Sequence, residues 1–451
     1  MAYCNPDHIP QLAIDKARLT LVNDRRLDSS LGLFTQSEEC HEVSCEARNT
    51  YHFQEGGSYA VFVQVPNNED MECNLVPLNN PTDSNIRVAI CTNFSASGQQ
   101  KVLCLFVFIM GTALILSFQS QLRFGAPKKT MLWKILRRSL ILFALGLLIN
   151  SHGCGDGVDM SQFRIPGVLQ RFALTYLIVA SIHLLFSSSL NNSQEYGRFA
   201  VVWDIVVFWP EGLTHVGFVM VHTCITFLLP VPNCPRGYIG PGGDDSHGLY
   251  ANCTGGAAGY IDRKVFGDSH IYQSPTCKEI YRTTVPYDPE GLLGILTSCF
   301  LCFLGLQAGK ILFVYKDWIQ RCWRFFTWGL LLCLLGGILC KFSKDDGWIP
   351  INKNLWSLSF VLTLAGMGFI LLLACYLLVD VYKVWSGAPF YYPGMNSIVL
   401  YVGHELLSGQ FPVAFDVPQT HAAQLAMNIW GTFFWVIVAY YLDFKKIYIS
   451  V

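Results

Sequence analysis

The stretch CTNFSASGQQKVLCLFVFIMG, residues 91–111, joins two unlike parts of the chain. Before it lies a cysteine-bearing segment with strand patterns such as SYAVFVQV and ECNLVPL, broken by Gly, Asn and Pro. After it begins an apolar run that is long enough to cross a bilayer. The stretch therefore divides the chain into a β-rich domain of residues 1–100 and a membrane domain of residues 101–451.

The composition is typical of a membrane protein. Of the 451 residues, 52% are hydrophobic and 14% are charged, whereas soluble domains carry about 25% charged residues. The net charge of −1 argues against a nucleic-acid partner. The first residues show no signal-peptide pattern, from which we expect either an incomplete N-terminus or an unusual route of insertion.

Apolar runs of about 20 residues predict membrane helices. The chain is predicted to be a multispanning all-α membrane protein of about nine helices with a small N-terminal lumenal β domain. A shorter run at 199–209 is expected to lie at the membrane interface. The nine runs are 102–121, 131–150, 165–187, 213–231, 291–313, 322–341, 356–379, 392–408 and 424–444.

Lysine and arginine predict the orientation, because short cytosolic loops are enriched in both. With residues 1–101 outside, the basic residues between runs collect on the opposite side, so the N-terminus is predicted to be lumenal and the C-terminus cytosolic. The loop 232–290 then lies in the lumen. Its NCTGG motif predicts a glycosylation acceptor at Asn252, and Asn93 is a second candidate.

Cysteine usage agrees with that orientation. Nine of the 17 cysteines fall in segments expected outside, where an oxidising compartment favours disulfides. The disulfide candidates are Cys234 and Cys253 in the long loop, and Cys45 and Cys73 in the N-terminal domain.

Ionisable residues at membrane depth are costly, so they indicate functional sites or structural pairs. In RIPGVLQR, Arg164 and Arg171 are seven residues apart and share one face of a helix. Arg171 can pair with a carboxylate and stabilise packing, as buried arginines usually do, or it can bind an anionic ligand. Both interpretations stay open.

Two further segments start helices from the same side. YDPEGLLG offers Glu290, and INKNLWSLS offers Asn354 and Trp356. Each also has a structural interpretation, because Asp, Glu and Asn cap helix N-termini and Trp anchors membrane interfaces.

In YYPGMNSIVLYVGHE the direction reverses, so His404 is expected near the lumenal end and Asn396 near the cytosolic end. A lone histidine in an apolar helix is more often structural than catalytic. The layout suits an anionic cytosolic ligand that reaches a polar chamber open to the lumen. The candidates for binding substrate or ligand are Arg164, Arg171, Glu290, Asn354, Trp356 and His404 toward the lumen, and Asn396, Lys134, Arg137 and Arg138, with Lys310 nearby, toward the cytosol.

No metal or nucleophile motif stands out. CFLC (299–302) lies in an apolar run and is interpreted as packing. The Gly-rich IGPGGDDSHG (239–248) lies in the long loop and is interpreted as a series of turns. The sequence therefore predicts no metal ion and no permanently bound cofactor.

A set of long motifs occurs in order along the membrane domain: RIPGVLQR, TFLLPVPNCPRGYIGPGG, NCTGGAAGYIDR, YDPEGLLG, GLQAGKIL, IPINKNLWSLS and FYYPGMNSIVLYVGHE. Together they closely resemble the heparan-alpha-glucosaminide N-acetyltransferase family of the lysosomal membrane. The resemblance covers residues 105–451 and, more weakly, the N-terminal domain as far as NPTDSN.

The resemblance implies a reaction. Acetyl-CoA from the cytosol, as co-substrate, donates its acetyl group to the terminal glucosamine amine of heparan sulfate in an acidic lumen. Because that amine is protonated there, a general base must free it before it attacks the thioester. The resemblance also implies a multi-pass homodimer, with a catalytic His and a neighbouring Asn in a lumen-facing segment near the second membrane helix.

The opening stretch, residues 91–111, departs from the family at that point. Two spans and the catalytic segment are expected to be missing, so no residue inherits the catalytic His, and an even loss preserves the downstream orientation. His222 is a second departure, because an aromatic residue is expected there. His404 is a substitute base of low expectation, since small errors of placement cost much rate.

Little or no transferase activity is therefore expected of this chain. Two other functions stay open. The chain can be a non-catalytic protein that binds CoA or pairs with a full-length subunit. It can also be a transporter, which ranks last because the sequence lacks symmetric halves with broken helices.

Overall fold

The computed structural model describes residues 98–151, 158–187, 203–206, 208–343, 347–407, 411–413, 415, 417 and 420–449, together with four short strands before residue 98. The chain divides into two compact units, residues 1–100 with 412–433 and residues 101–411 with 434–451. The candidate site described below lies within the second unit.

The four strands form two antiparallel pairs, β1 (Leu31–Leu33) with β2 (His41–Val43) and β3 (Tyr59–Gln64) with β4 (Glu72–Pro77). The side chains of Cys45, Cys73 and Asn93 lie outside the described part of the chain. The N-terminal β domain and its disulfide therefore stay predictions.

Helices dominate the described part of the membrane domain. The longer ones are α1 (Gly98–Arg123), α2 (Lys128–Asn150), α3 (Val168–Phe186), α4 (Trp209–Leu228), α5 (Gly256–Phe266), α6 (Leu293–Val314), α7 (Trp318–Leu339), α8 (Leu358–Tyr376), α9 (Ser397–Leu406) and α10 (His421–Phe444). A π-helical turn, Leu377–Val381, extends α8. Shorter helices are Trp203–Val206, Asp245–Gly248, Asp268–His270, Thr276–Tyr281 and Tyr391–Met395.

Seven of the described helices are long and apolar enough to cross a membrane: α1, α3, α4, α6, α7, α8 with its extension, and α10. They correspond to seven of the nine predicted runs, so the prediction of a multispanning helical membrane protein is confirmed. The run 131–150 forms α2, a helix of 23 residues that carries Lys134, Arg137 and Arg138 along its first half. Those charges keep α2 out of the apolar set.

The prediction of one helix over 392–408 is wrong. The chain instead forms the short helix Tyr391–Met395 and then α9, with Asn396 between them. The Asn396 side chain donates to the carbonyl oxygen of Ile447 at 3.1 Å and accepts from the backbone N–H of Ile449 at 3.0 Å. Asn396 therefore ties down the segment after α10.

Helix α6 is the centre of the second unit, with 16 of its 22 residues buried. It meets α1 through glycines, since a Cβ on Gly111 would overlap the carbonyl oxygen of Cys302 and one on Gly305 would overlap that of Phe108. Thr112 Oγ1 also donates to the Gly305 carbonyl oxygen at 2.9 Å. Small residues allow membrane helices to approach this closely.

Gly305→Ala is expected to destabilise the protein, because the added methyl group forces α1 and α6 apart. We expect a loss of roughly 1–3 kcal/mol, as for other overpacked cores, seen as a lower midpoint of thermal unfolding in detergent. Gly217→Ala in α4 is the matched control, because a Cβ there meets nothing within 4 Å. Equal midpoints for the two variants would contradict the close crossing.

Candidate functional site

Arg164 holds the chain just before α6. Its Nε donates to Asp288 Oδ2 at 2.8 Å, and its Nη2 donates to Asp288 Oδ1 and Glu290 Oε2, both at 2.7 Å. The guanidinium also lies over the ring of Tyr272, 4.7 Å from its centroid. The Arg164 side chain keeps 26% of its surface exposed, although its guanidinium is engaged by both acids.

These contacts shift the two carboxyl groups in opposite directions. Burial raises the pKa of Asp288, but the hydrogen bond and charge of Arg164 outweigh burial and hold that pKa below its usual value. Burial dominates at Glu290 and holds its pKa above the usual value. Arg164 therefore stabilises the ionised form of Asp288 more strongly than that of Glu290.

Arg171, one turn into α3, holds the same segment by its backbone. Its Nη2 donates to the carbonyl oxygens of Pro289 and Gly291, both at 2.9 Å. The guanidinium stacks over Trp356, 4.6 Å from the ring centroid, and is almost fully buried. A Cβ on Gly294 would lie 2.7 Å from Nη2, so the start of α6 has to be small here. The planar guanidinium group can donate hydrogen bonds from its edge to the backbone and stack its face on the Trp356 ring at the same time.

A carboxylate from the long loop caps α6. Asp262 Oδ1, in α5, accepts from the backbone N–H of Leu292 at 2.9 Å, and a Cβ on Gly291 would overlap the carboxylate. The capping interpretation of the acids in YDPEGLLG is met one turn earlier, since Asp288 Oδ1 accepts from the backbone N–H of Glu290 at 3.0 Å in the turn before α6.

The turn before α8 joins the same group. Tyr287 Oη donates to the carbonyl oxygen of Asn354 at 2.7 Å. Asn354 does not cap α8; the cap is Ser357, whose Oγ accepts from the backbone N–H of Phe360 at 3.4 Å. Three sequence segments that are far apart therefore meet at one end of the bundle, which we call the loop end.

A narrow cleft with a cavity volume of about 30 Å³ lies at the loop end. It is lined by the end of α4, the loop around 238–258, Leu293 and residues 349–358. Most of its lining is apolar, and its polar side chains include His222, Tyr238, Asn352 and Ser357. Apolar walls with a few polar groups also line small-molecule sites, which enclose larger volumes.

His222 connects the cleft to the arginines. Its side chain is only 6% exposed. It lies within reach of the charge of Arg171 and of the backbone of Leu355, which precedes Trp356. Sequence analysis singled out His222 only as a departure from the family pattern.

The opposite end of the bundle holds a fully buried group of charged residues. Lys310 Nζ is 2.7 Å from Glu211 Oε2 and 3.8 Å from the centroid of the Phe208 ring. His183 Nδ1 is 3.1 Å from Glu211 Oε1. His215 Nδ1 contacts the backbone oxygen of Glu211 at 2.8 Å. The Lys310–Glu211 ion pair is interpreted as structural, because buried charges are normally compensated by a partner of opposite sign.

This buried group was not predicted from the sequence. Lys310 was expected with the basic residues at the cytosolic helix ends, and the structure buries it completely. A signal was present, because Glu211, His215 and His222 are spaced by four and seven residues and so share one face of α4.

The structure brings together five of the predicted site residues at the loop end: Arg164, Arg171, Glu290, Asn354 and Trp356. His404 lies elsewhere. It is half-exposed, its Nδ1 is 3.9 Å from Glu405 Oε1, and it does not line the cleft.

The basic candidates lie along the first half of α2. Lys134 Nζ donates to Gln121 Oε1 at 2.9 Å. Arg137 is exposed. Arg138 lies over the ring of Tyr176, 4.6 Å from its centroid.

The long loop carries the other predicted features. A disulfide joins Cys234 and Cys253, and the neighbouring Asn252 is exposed, as a glycosylation acceptor has to be. Within the described residues, no group of three or more His, Cys, Asp and Glu side chains is arranged to hold a metal ion.

Comparison with known proteins gives a consistent result. No protein-family model matches the chain. The chain is 46% identical over 349 residues to heparan-alpha-glucosaminide N-acetyltransferase of Mus musculus, and 46% identical over 348 residues to that of Homo sapiens. The alignments cover 76% of this chain but 53% and 52% of the relatives. The chain thus spans about half the length of the curated relatives it matches.

Removing one member of the buried Glu211–Lys310 pair is expected to be worse than removing both. Lys310→Met leaves the Glu211 carboxylate buried without its cation, at a cost of roughly 3–5 kcal/mol in the free energy of unfolding. Glu211→Leu combined with Lys310→Met leaves no buried charge and should be less damaging. Thermal unfolding in detergent measures both. A double variant less stable than Lys310→Met would contradict this prediction.

Asp262 is expected to make stability depend on pH. Burial raises the pKa of Asp262 from 3.8 to about 7, and Asp288, Arg171 and Arg263 are the charged groups nearest to it. Because the folded pKa is the higher one, its contribution to stability is full below about pH 4 and is lost as the pH rises through about 7.

Asp262→Asn, which stays neutral, should remove this contribution. The unfolding midpoint of the wild type should therefore fall relative to that of Asp262→Asn between about pH 5 and about pH 8. Asp268→Asn, at an exposed position of the same loop, is the control. Parallel pH profiles for wild type and Asp262→Asn would disprove the assignment.

Proposed function

Because the aligned part of the chain belongs to the heparan-alpha-glucosaminide N-acetyltransferase family, we propose that it carries the membrane site of an N-acetyltransferase. The acetyl donor is acetyl-CoA, a co-substrate, and the acceptor is the terminal glucosamine amine of heparan sulfate. The observation that supports this most directly is the cleft at the loop end, which is lined by His222, a side chain within reach of the charge of Arg171.

The loop end suits a sulfated amino sugar. Arg164 keeps a quarter of its side chain exposed, and its guanidinium, although bound to Asp288 and Glu290, adds positive charge where we place the anionic sugar. We assign the sugar hydroxyls to Tyr238 and Asn352, which line the largely apolar wall of the cleft. This combination orients a saccharide end while excluding water from the reacting amine.

Helix α2 connects that end to a basic surface. Its last residue, Asn150, donates to the carbonyl oxygens of Arg164 and Pro166, both at 3.0 Å. Arg138 precedes Asn150 by 12 residues, which is about 18 Å along the helix. We assign the CoA phosphates to Lys134, Arg137 and Arg138, with the acyl arm running toward the cleft.

The remaining features of the proposal follow the family resemblance. The chain is placed in the lysosomal membrane as a homodimer, with its N-terminus and glycosylated Asn252 in the lumen and its C-terminus in the cytosol. The catalytic His implied by the resemblance has no counterpart in the sequence, so turnover by this chain is expected to be low.

The test measures two properties of the full chain in membranes, acetyl-CoA binding and acetyl transfer to glucosamine. We expect binding with slow transfer. Arg137→Ala should weaken acetyl-CoA binding by roughly tenfold through loss of a phosphate contact, and Lys316→Ala, an exposed lysine after α6, should not.

Three other results would point elsewhere. Equal effects of Arg137→Ala and Lys316→Ala would remove the basic surface of α2 from the donor site. Binding without any transfer would favour a non-catalytic CoA-binding partner. Flux of glucosamine without acetylation would favour a transporter.

A further inference from the structure

His222 is the one histidine that lines the cleft, among those whose side chains the structure describes. His183 and His215 belong to the buried Glu211 group at the opposite end. His270 Nδ1 contacts the backbone oxygen of Phe163 at 2.9 Å, away from the cleft lining. His404 is partly exposed and His421 is exposed, and neither lines the cleft.

We propose that His222 is the general base of this chain, taking the proton from the attacking amine in the loop-end cleft. This inference rests on the proposed acetyl transfer and adds a residue to it. Histidine is the usual side chain for such a proton transfer, because its unperturbed pKa is near neutrality.

The position of His222 meets the geometric requirement for a base. It projects from the last two turns of α4 into a cleft whose other walls come from the long loop and residues 349–358. An amine that widens this narrow cleft as it binds would meet the imidazole. The low exposure of His222, 6%, limits competing solvent.

The other ionisable groups of the loop end are already engaged. Glu290 and Asp288 are bound by Arg164, and Asp262 accepts from the Leu292 backbone. Arg171 cannot act as a base, but its charge reaches His222. A positive charge at that position favours the oxyanion that develops when an amine attacks a thioester.

The step balances with no other reactant than water. The ammonium first loses one proton to water, which leaves a neutral amine. The amine lone pair then forms the new C–N bond at the thioester carbonyl carbon while a second amine proton passes to the His222 imidazole. The tetrahedral adduct then breaks its C–S bond, and CoA leaves as the thiolate. The imidazolium returns the proton to the thiolate, which gives the amide, free CoA thiol and neutral His222.

The experiment compares acetyl transfer from acetyl-CoA to glucosamine by the wild-type chain, His222→Gln and His222→Asn, all in membranes. A lost general base lowers kcat by about 100-fold or more, with KM for glucosamine changed less than about threefold because the cleft keeps its shape. Acetyl-CoA binding, measured on the same samples, shows whether each variant is folded. His421→Gln, an exposed histidine at the start of α10, is the matched control.

Several outcomes would overturn the assignment. One is full turnover by both His222 variants. Another is loss of turnover in His404→Gln while His222→Gln stays active. A wild-type chain that binds acetyl-CoA but transfers nothing would also exclude His222 as a working base, while leaving the donor site intact. A chain that neither binds nor transfers would instead refute the proposed function itself.

Discussion

Arg164 and Arg171 donate hydrogen bonds to alternate residues of the segment 288–291. The arrangement of the loop end depends on these hydrogen bonds. Arg164 donates to the carboxylates of Asp288 and Glu290. Arg171 donates to the carbonyl oxygens of Pro289 and Gly291. The segment leads directly into α6. Because α6 is the most buried helix described, fixing its first turn fixes where α3, α4 and the cleft wall lie.

Charged side chains hold both ends of α6. At one end they satisfy backbone groups, and at the other they compensate a charge that the helix itself carries. At the loop end, arginines and Asp262 satisfy backbone groups that would otherwise be left unpaired in an apolar surrounding. At the other end, Lys310 brings a charge into the interior and needs Glu211 to compensate it. A rotation or sliding of α6 would break both arrangements together, so the helix has a single register.

The parts that sequence could predict were those with short-range signals. Seven spans followed from runs of about 20 apolar residues, and the shared face of Arg164 and Arg171 followed from their spacing. Their common partner did not, since Glu290 is 126 residues from Arg164. The partner of Lys310 is 99 residues away and was missed for the same reason. The break at Asn396 depends on the chain after α10, which no local pattern shows.

The disulfide between Cys234 and Cys253 closes part of the long loop and also makes that loop sensitive to its redox surroundings. Tyr238, which lines the cleft, lies between the two bonded cysteines in the sequence, and Gly255, another lining residue, lies two residues after Cys253. The disulfide therefore constrains the loop that forms one wall of the cleft. Cytosolic thiols stay reduced, and such a bond persists only where the surroundings are oxidising. Covalent closure of the loop wall of the cleft therefore depends on the redox state of the loop's surroundings.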